Sequence, residues 1–395
     1  MVIDSSTENA KQLASFAQDL VRLPSPSGQE GQVAARLSEE MMRVGFTEVR
    51  TDHIGNVIGR LGDGRGPTIM LEGHMDTVAS GDPAKWRYGP YGAQIVDGVL
   101  YGLGTADMKG ALAAMVYGAK ALVDVGVELH GSLYMVGVVQ EEPCEGVALG
   151  MLLQQESIRP DLVLIGEATS LQIARGQRGR LELKVTTHGK SCHASAPERG
   201  KNAIYAAARA LVGIELMAPQ MENDPFLGKA SIAVTEIASS AVSRNAIPDR
   251  CVLYVDRRLT SGETEAKATA QLRNVINREG VDATVEVSEV HARSYTGYEY
   301  RARQYFPCWT TPENGEWIRR LAHAIERELG YRPKIGRWDF STDGVYSAGV
   351  AGIPTAGFGP GDEKYAHTVE EQVSISRLVD AARVYARLAA DLLSK

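Results

Sequence analysis

Cysteine is scarce in this chain: Cys144, Cys192, Cys251 and Cys308 are the only four in 395 residues, and no two of them form a CxxC pair. That spacing offers neither a disulfide framework nor a thiolate metal site. Positive charge is also short, with 42 lysines and arginines against 49 aspartates and glutamates, a formal net charge of −7. Such a surface has no field to hold a polyanion, so nucleic acid is excluded as an expected partner. No apolar run approaches the roughly 18 residues that a bilayer span requires. The opening Met1-Val2-Ile3-Asp4-Ser5-Ser6 lacks the basic-then-apolar pattern of a secretory signal. The expectation is a cytoplasmic protein without membrane association. What is present is ordinary globular material, 44% hydrophobic and 23% charged, long enough for two or three domains.

Hydrophobic periodicity predicts helices around 9–22 and 29–44, on either side of the Pro24–Gly28 turn. Strand-like runs follow at 55–61 and 67–72. A helix is predicted over 108–125 from Leu112, Met115, Ala119 and Leu122. Strands recur at Ser132–Gln140 and Leu162–Ile165 with a helical segment between them. This alternation points to an α/β layer with a largely parallel sheet. From about 178 the pattern restarts as strand, helix, two strands, helix and strand, the split order of a small α+β domain. The last hundred residues return to helix (312–329), strand (353–358) and a long C-terminal helix. The simplest organisation is one α/β domain, residues 1–177 and 293–395, interrupted by an inserted lid at 178–292.

Five short stretches carry residues suited to chemistry. Gly73-His74-Met75-Asp76 follows the apolar strand 67–72, where open α/β sheets place their sites. On an extended chain, Asp76 shares a side with His74 and is within reach of its imidazole, fixing the tautomer of a metal-bound histidine. Alone, this HxD also fits a strand-end turn with a surface histidine. Asp107, in Gly102-Leu103-Gly104-Thr105-Ala106-Asp107, opens an amphipathic helix. It stands where a dinucleotide loop needs glycine, so that loop is excluded, and it fits either a helix N-cap or a residue bridging two cations. Gly189-Lys190-Ser191 has Lys184 where a phosphate-binding loop needs glycine. Glu141-Glu142 and Glu167 each end an apolar strand, and His367 precedes the last helix. Adjacent acids repel, so the pair fits either a solvated acidic turn or a nearby cation, with one carboxylate as ligand and its neighbour as general base. Two histidines and three carboxylates at strand or loop ends fit a two-metal hydrolytic site, with donors suited to zinc, cobalt or manganese.

These blocks, in this order, resemble the dinuclear metallopeptidases and deacylases that include acetylornithine deacetylase, succinyl-diaminopimelate desuccinylase, aminoacylase and glutamate carboxypeptidase. The resemblance covers nearly the whole chain. It is tightest to the YgeY-type, selenium-metabolism-linked hydrolases, through Gly176-Gln177-Arg178-Gly179-Arg180, the run Ser191–Gly200, Asp256-Arg257-Arg258-Leu259-Thr260 and Gly357-Phe358-Gly359-Pro360-Gly361. It implies a hydrolase-like catalytic domain with a mixed sheet and a ferredoxin-like lid that also dimerises. It implies that His74 and Glu167 bind one metal, Glu142 and His367 the other, and Asp107 both. Glu141 is then the general base and Asp76 the partner of His74. His193 matches a lid histidine that reaches into a second subunit's site to hold the oxyanion. Neighbours on a strand face opposite ways, so Cys192 and His193 make a poor nucleophile pair.

By the same resemblance, Asn245 and Arg258 lie near a substrate carboxylate, with Arg257 sharing the task if the register shifts by one. A structural ion pair with Asp256 is the other reading of Arg258. Ser341 and Thr342 sit on a loop giving backbone contacts to that carboxylate. Glu167, rather than aspartate, favours carboxypeptidase and acylase chemistry. Glu142, where ureide amidohydrolases carry histidine, disfavours those enzymes. The expected activity is hydrolysis of an amide in a small carboxylate-bearing substrate, an N-acyl amino acid or a dipeptide, by a homodimer with two divalent metals per subunit. The rivals are a ureido or carbamoyl amidohydrolase and a silent metal-binding protein. The aromatic stretch 295–309 fits pocket lining and hinge packing equally.

Overall fold

Continuous apolar runs such as Met70-Leu71 and Leu162-Val163-Leu164-Ile165 have no polar face to show to water, so they form strands covered on both sides. In the computed structural model, which describes residues 8–394, they lie at the middle of a nine-stranded sheet. The N-terminal stretch read above for a targeting signal is outside the described residues. The sheet runs in the order Glu48–Thr51, Val57–Leu61, Ser132–Val138, Thr68–His74, Leu162–Ile165, Thr355–Gly357, Ile173–Gln177 and Trp309–Thr310, and Ile335–Trp338 also pairs with Ile173–Gln177. The four strands from Ser132–Val138 to Thr355–Gly357 are mutually parallel, while pairs toward both edges include antiparallel ones. The sheet is therefore mixed, not largely parallel.

The helix Lys109–Asp124 is buried almost all round rather than along the one expected stripe, because it is packed between other elements. Gly118 permits the approach of the C-terminal helix Ile375–Leu393: a Cβ there would sit 2.8 Å from the Ala382 carbonyl oxygen. Glu40, on the helix Gly31–Arg43, ties that helix to Tyr117. Its buried carboxylate accepts from Arg43, from the Tyr117 hydroxyl at 2.7 Å and from Arg36 at 3.0 Å.

A second hydrophobic core gathers residues between Leu181 and Val285, including Leu183, Ala207, Leu253, Val255 and Leu272. Its sheet is antiparallel, in the order Ser231–Ser239, Arg250–Leu259, Gly179–His188 and Ala283–Val287, with helices Ala203–Met217 and Glu265–Arg278. This is the strand-helix-strand-strand-helix-strand order read from the sequence. Tyr305–Phe306 also pairs with Gly179–His188. Between them, Glu289–Arg293 and Glu299–Arg303 form a hairpin whose Tyr300 and Ala302 are buried in the first core. The aromatic stretch 295–309 is thus packing in large part, with Trp309 buried as well. No helix among the described residues is long and apolar enough to cross a membrane.

Burial alone would raise the Glu40 carboxyl, but the hydrogen bonds from Arg43, Tyr117 and Arg36 outweigh it and hold it down to about 2. A depressed carboxyl stabilises the fold above its unfolded pKa near 4.5 and loses that contribution as pH falls toward the folded value. Glu40→Gln is expected to cost about 2 kcal/mol at neutral pH, discounted because Arg43 is half exposed. Urea denaturation of both proteins should show the gap closing between pH 4.5 and about 2. A gap independent of pH would mean the carboxylate charge contributes nothing.

Candidate metal centre

Three neighbouring parallel strands end at one edge of the central sheet and deliver acids and histidine there. His74 is the last residue of Thr68–His74, Glu141 and Glu142 follow Ser132–Val138, and Glu167 follows Leu162–Ile165. Asp107 stands just before the helix Lys109–Asp124 and His367 just before the strand Gln372–Ser374. This is where open α/β sheets collect ligands.

The structure brings these residues into contact. His74 Nε2 lies 2.9 Å from Asp107 Oδ1 and 3.3 Å from Glu167 Oε1. His367 Nε2 lies 3.1 Å from Asp107 Oδ2 and 3.1 Å from Glu142 Oε2. Asp107 gives one oxygen to each imidazole, so two half-sites share a single carboxylate. His74, Glu141 and Glu167 make a further group whose candidate ligand atoms all lie within 4.8 Å of one another. Asp107 is not the N-cap: Met108 takes that position, and the Asp107 carboxylate faces the histidines.

The donor set fits divalent cations on distance and on charge. Atoms bound at about 2.0–2.2 Å to one tetrahedral ion lie roughly 3.3–3.6 Å apart, close to the separations seen here. Among the described residues, no lysine or arginine pairs with Asp107, Glu141, Glu142 or Glu167. The acids therefore press on each other and on the imidazoles. Burial and the Asp107 charge push Glu167 up to about 7, and burial pushes Glu141 well above the carboxylate range. Hydrogen bonds to Asp107 and Glu142 raise His367 to about 10. Burial opposes charging His74, yet Asp107 and Glu167 still raise it well above the imidazole range. Carboxylates gathered around two imidazoles without a lysine or arginine among the described residues call for positive charge, and nitrogen and oxygen donors of this kind suit a divalent cation.

Asp76 departs from the expected role. The strand ends at His74, so the i, i+2 alternation no longer holds beyond it. His74 Nδ1–H donates to the Asp76 carbonyl at 2.9 Å, while the nearer carboxylate oxygen is 3.6 Å away. The carboxylate instead accepts from the backbone N–H of Glu141 at 3.0 Å and of Glu142 at 3.2 Å, and from the Ser27 hydroxyl at 2.6 Å. Asp76 thus fixes the tautomer through its backbone and the acidic turn through its side chain.

Sequence reasoning missed the groups that hold the loops. Glu371 Oε1 accepts from the N–H groups of Gly104, Ala106 and Asp107, each at 3.0 Å, and so pins the loop that carries Asp107. Its place, four residues past His367, was the available signal. Glu30 Oε1 accepts from Gln140 N–H at 3.1 Å and Asn56 Oδ1 from Val139 N–H at 3.0 Å. Glu72 and Asp343 form a buried carboxyl pair, each with one oxygen that has no partner among the described residues; burial raises both, and Asp343 adds to the rise at Glu72.

The expected lid residues fall outside this cluster within their own chain. His193 and Asn245 come together on the surface of the part built on the second core: His193 pairs with Ala246 across a short antiparallel bridge, and Ala194 N–H donates to the Asn245 carbonyl at 2.8 Å. Both are exposed, with the Ser195 hydroxyl 2.7 Å from His193 Nδ1. Arg258 is paired with Asp256 at 2.9 Å and is about one third exposed. Arg257 cannot share its task, because it is fully buried against Glu263 and the Ala268 carbonyl. Thr342 is buried and donates to Gln177 at 2.6 Å, so its hydroxyl is already used, and Ser341 Oγ accepts from the same glutamine at 3.2 Å.

Comparison with known proteins agrees with this architecture. The sequence profile of the peptidase family M20/M25/M40 matches residues 70–391. The uncharacterised protein YgeY of Escherichia coli strain K12 is 38% identical over 389 residues, covering 98% of this chain and 96% of that protein. Succinyl-diaminopimelate desuccinylase 2 of Ruegeria sp. strain TM1040 is 28% identical over 387 residues, with 94% and 93% covered. The solved structure of Bacillus subtilis YXEP, described as a dinuclear metal-binding peptidase, superposes with a TM-score of 0.72 at 17% identity, covering 98% of both chains. The family profile over most of the sequence and a relative 38% identical along nearly its whole length lead to one conclusion: this chain belongs to the M20/M25/M40 peptidase family and is a metal-dependent hydrolase.

Proposed function

We propose that the chain hydrolyses an amide bond in a small substrate with a free carboxylate, an N-acyl amino acid or a dipeptide, using two divalent cations, zinc in the first place. The observation that carries this reading is Glu141, a buried carboxylate beside His74 and Glu167 whose Oε1 has no hydrogen-bond partner among the described residues. His74, Glu167 and Asp107 would hold one cation and His367, Glu142 and Asp107 the other. When bound, such ions supply Lewis-acid charge to a carbonyl and make water a nucleophile at neutral pH. Glu141 takes the proton of the attacking water and returns it to the departing amine. The names of the relatives, a desuccinylase and a dinuclear metal-binding peptidase, support both the bond type and the metal count.

Water exclusion and oxyanion contact are assigned to the lid. His193 and Asn245 make one exposed patch with no part in their own chain's metal cluster, which supports delivery to the site of a second copy. The lid also has a surface suited to pairing. Ser231–Ser239 ends its sheet, and the neighbouring helix exposes Tyr205, Val212 and Leu216. Arg258, released from Asp256, offers a planar fork for the substrate carboxylate. All four cysteines are unbridged, in keeping with a cytoplasmic setting.

The zinc-loaded protein should cleave at least one member of a panel of N-acyl amino acids and dipeptides scored by mass spectrometry, and chelation should stop it. Glu141→Gln is expected to lower turnover by at least about a thousandfold with two metals still bound by elemental analysis. Loss of metal along with activity would make Glu141 a ligand instead. Ammonia release with the product would move the assignment to a ureido or carbamoyl bond. His193→Ala and Glu141→Ala proteins, each inactive, should regain up to about a quarter of wild-type activity when refolded together, since half the dimers carry one complete site. No recovery would place His193 outside the partner's site.

A further inference from the structure

The hairpin Glu289–Arg303 is joined to two parts of the molecule and lies along a third. Its root is bound into the lid strand Gly179–His188: Ser288 N–H donates to the Glu182 carbonyl at 2.9 Å, and Glu182 N–H donates to the Gln304 carbonyl at 3.0 Å. Its tip is fastened to the catalytic body. The Tyr295 hydroxyl donates to the Gly55 carbonyl at 3.0 Å, and the Thr296 hydroxyl to the His53 carbonyl at 2.8 Å. The Tyr298 ring meets His53 edge-on at 4.6 Å. Gly55 is required there, since a Cβ would lie 2.4 Å from the Tyr295 ring.

Between root and tip, the hairpin runs beside the turn that carries Glu141 and Glu142. The Arg293 carbonyl accepts from Gln140 Nε2 at 3.2 Å. Gln140 is held in the left-handed region, φ 54°, so its conformation depends on such outside contacts. Tyr300 lies against Cys144, Gln304 Nε2 reaches the Pro143 carbonyl at 3.5 Å, and Arg180 joins Gln304 to Glu145 at 3.1 and 2.9 Å. The loop held by the tip also acts on the same turn, because Asn56 accepts from Val139 N–H. With one end on the lid and the other on the body, this hairpin is loaded whenever the two move relative to each other.

We propose that the hairpin is a strut that sets the Glu141–Glu142 turn according to the position of the lid, with Tyr295 and Gln140 as positioning residues. The proposal rests on Glu141 being the general base. The lid's seating then reaches the base through Arg293 and Gln140, and through Tyr300 against Cys144, without either residue touching substrate.

The test compares full-length, zinc-loaded wild type with Tyr295→Phe, Tyr295→Ala and a control, Tyr331→Phe, which removes an equivalent hydroxyl bond to the Leu171 carbonyl. Amide exchange read by mass spectrometry over 138–146 should rise about fivefold or more in Tyr295→Ala, less in Tyr295→Phe and not in the control. On a substrate that wild type cleaves, kcat should fall about tenfold with KM within twofold and metal content unchanged. Faster exchange confined to 289–303, or equal losses in the control, would overturn the strut. Should wild type cleave nothing, the exchange arm still decides the strut, and that failure belongs to the hydrolase reading alone.

Discussion

The division of Asp107 between two imidazoles is the contact on which the rest of the site depends. Its two oxygens lie 2.9 and 3.1 Å from His74 and His367, which come from opposite ends of the chain. A carboxylate asked to serve two partners needs a fixed backbone, and Glu371 provides it by gathering three N–H groups of the preceding loop. Lys109, buried just beyond, is fixed as well, donating to the Leu23 carbonyl at 2.7 Å. The fold brings the C-terminal segment back over the sheet so that His367 and Glu371 act on the same loop from two sides.

A second constraint is the concentration of buried acids around that contact. Glu141, Glu142 and Glu167 repel one another in a low-dielectric setting, and among the described residues no arginine or lysine pairs with them; Glu142 accepts from the Val78 N–H at 3.2 Å, and the turn itself is held by backbone bonds to two further acids. Asp76 receives the N–H groups of Glu141 and Glu142, and Glu30 that of Gln140. The charge left uncompensated is directed inward, at the space the ligand atoms enclose. Stability and activity therefore pull against each other at this edge of the sheet, as preorganised sites commonly require.

The residues of the cluster were legible in the sequence because strand ends are legible. Each of His74, Glu141, Glu142 and Glu167 closes or follows an apolar run, and the β-strand period needs no tertiary information to be read. The lid's element order emerged the same way. Strand alternation carried past His74 misplaces the Asp76 side chain, because the strand stops at His74 and nothing in the local sequence marks that stop. Arg257 was decidable: Cys251, Leu253, Val255, Arg257 and Leu259 alternate on the buried face, which leaves Arg258 outward. The hairpin was also within reach, since Val290 and Ala292, then Tyr300 and Ala302, alternate around a turn containing Gly297. Glu30, Asn56 and Glu371 were not, because a residue that accepts from a distant backbone N–H leaves no periodic trace.

The shared carboxylate also gives the protein a schedule. His74, Asp107, Glu142 and Glu167 all leave the ribosome well before His367, so a growing chain holds one half-site long before the other. Until the last segment of the catalytic sheet folds back, Asp107 has one histidine and not two. A truncated or stalled chain therefore lacks the second histidine contact, and the order of synthesis leaves the cluster incomplete until folding is nearly complete.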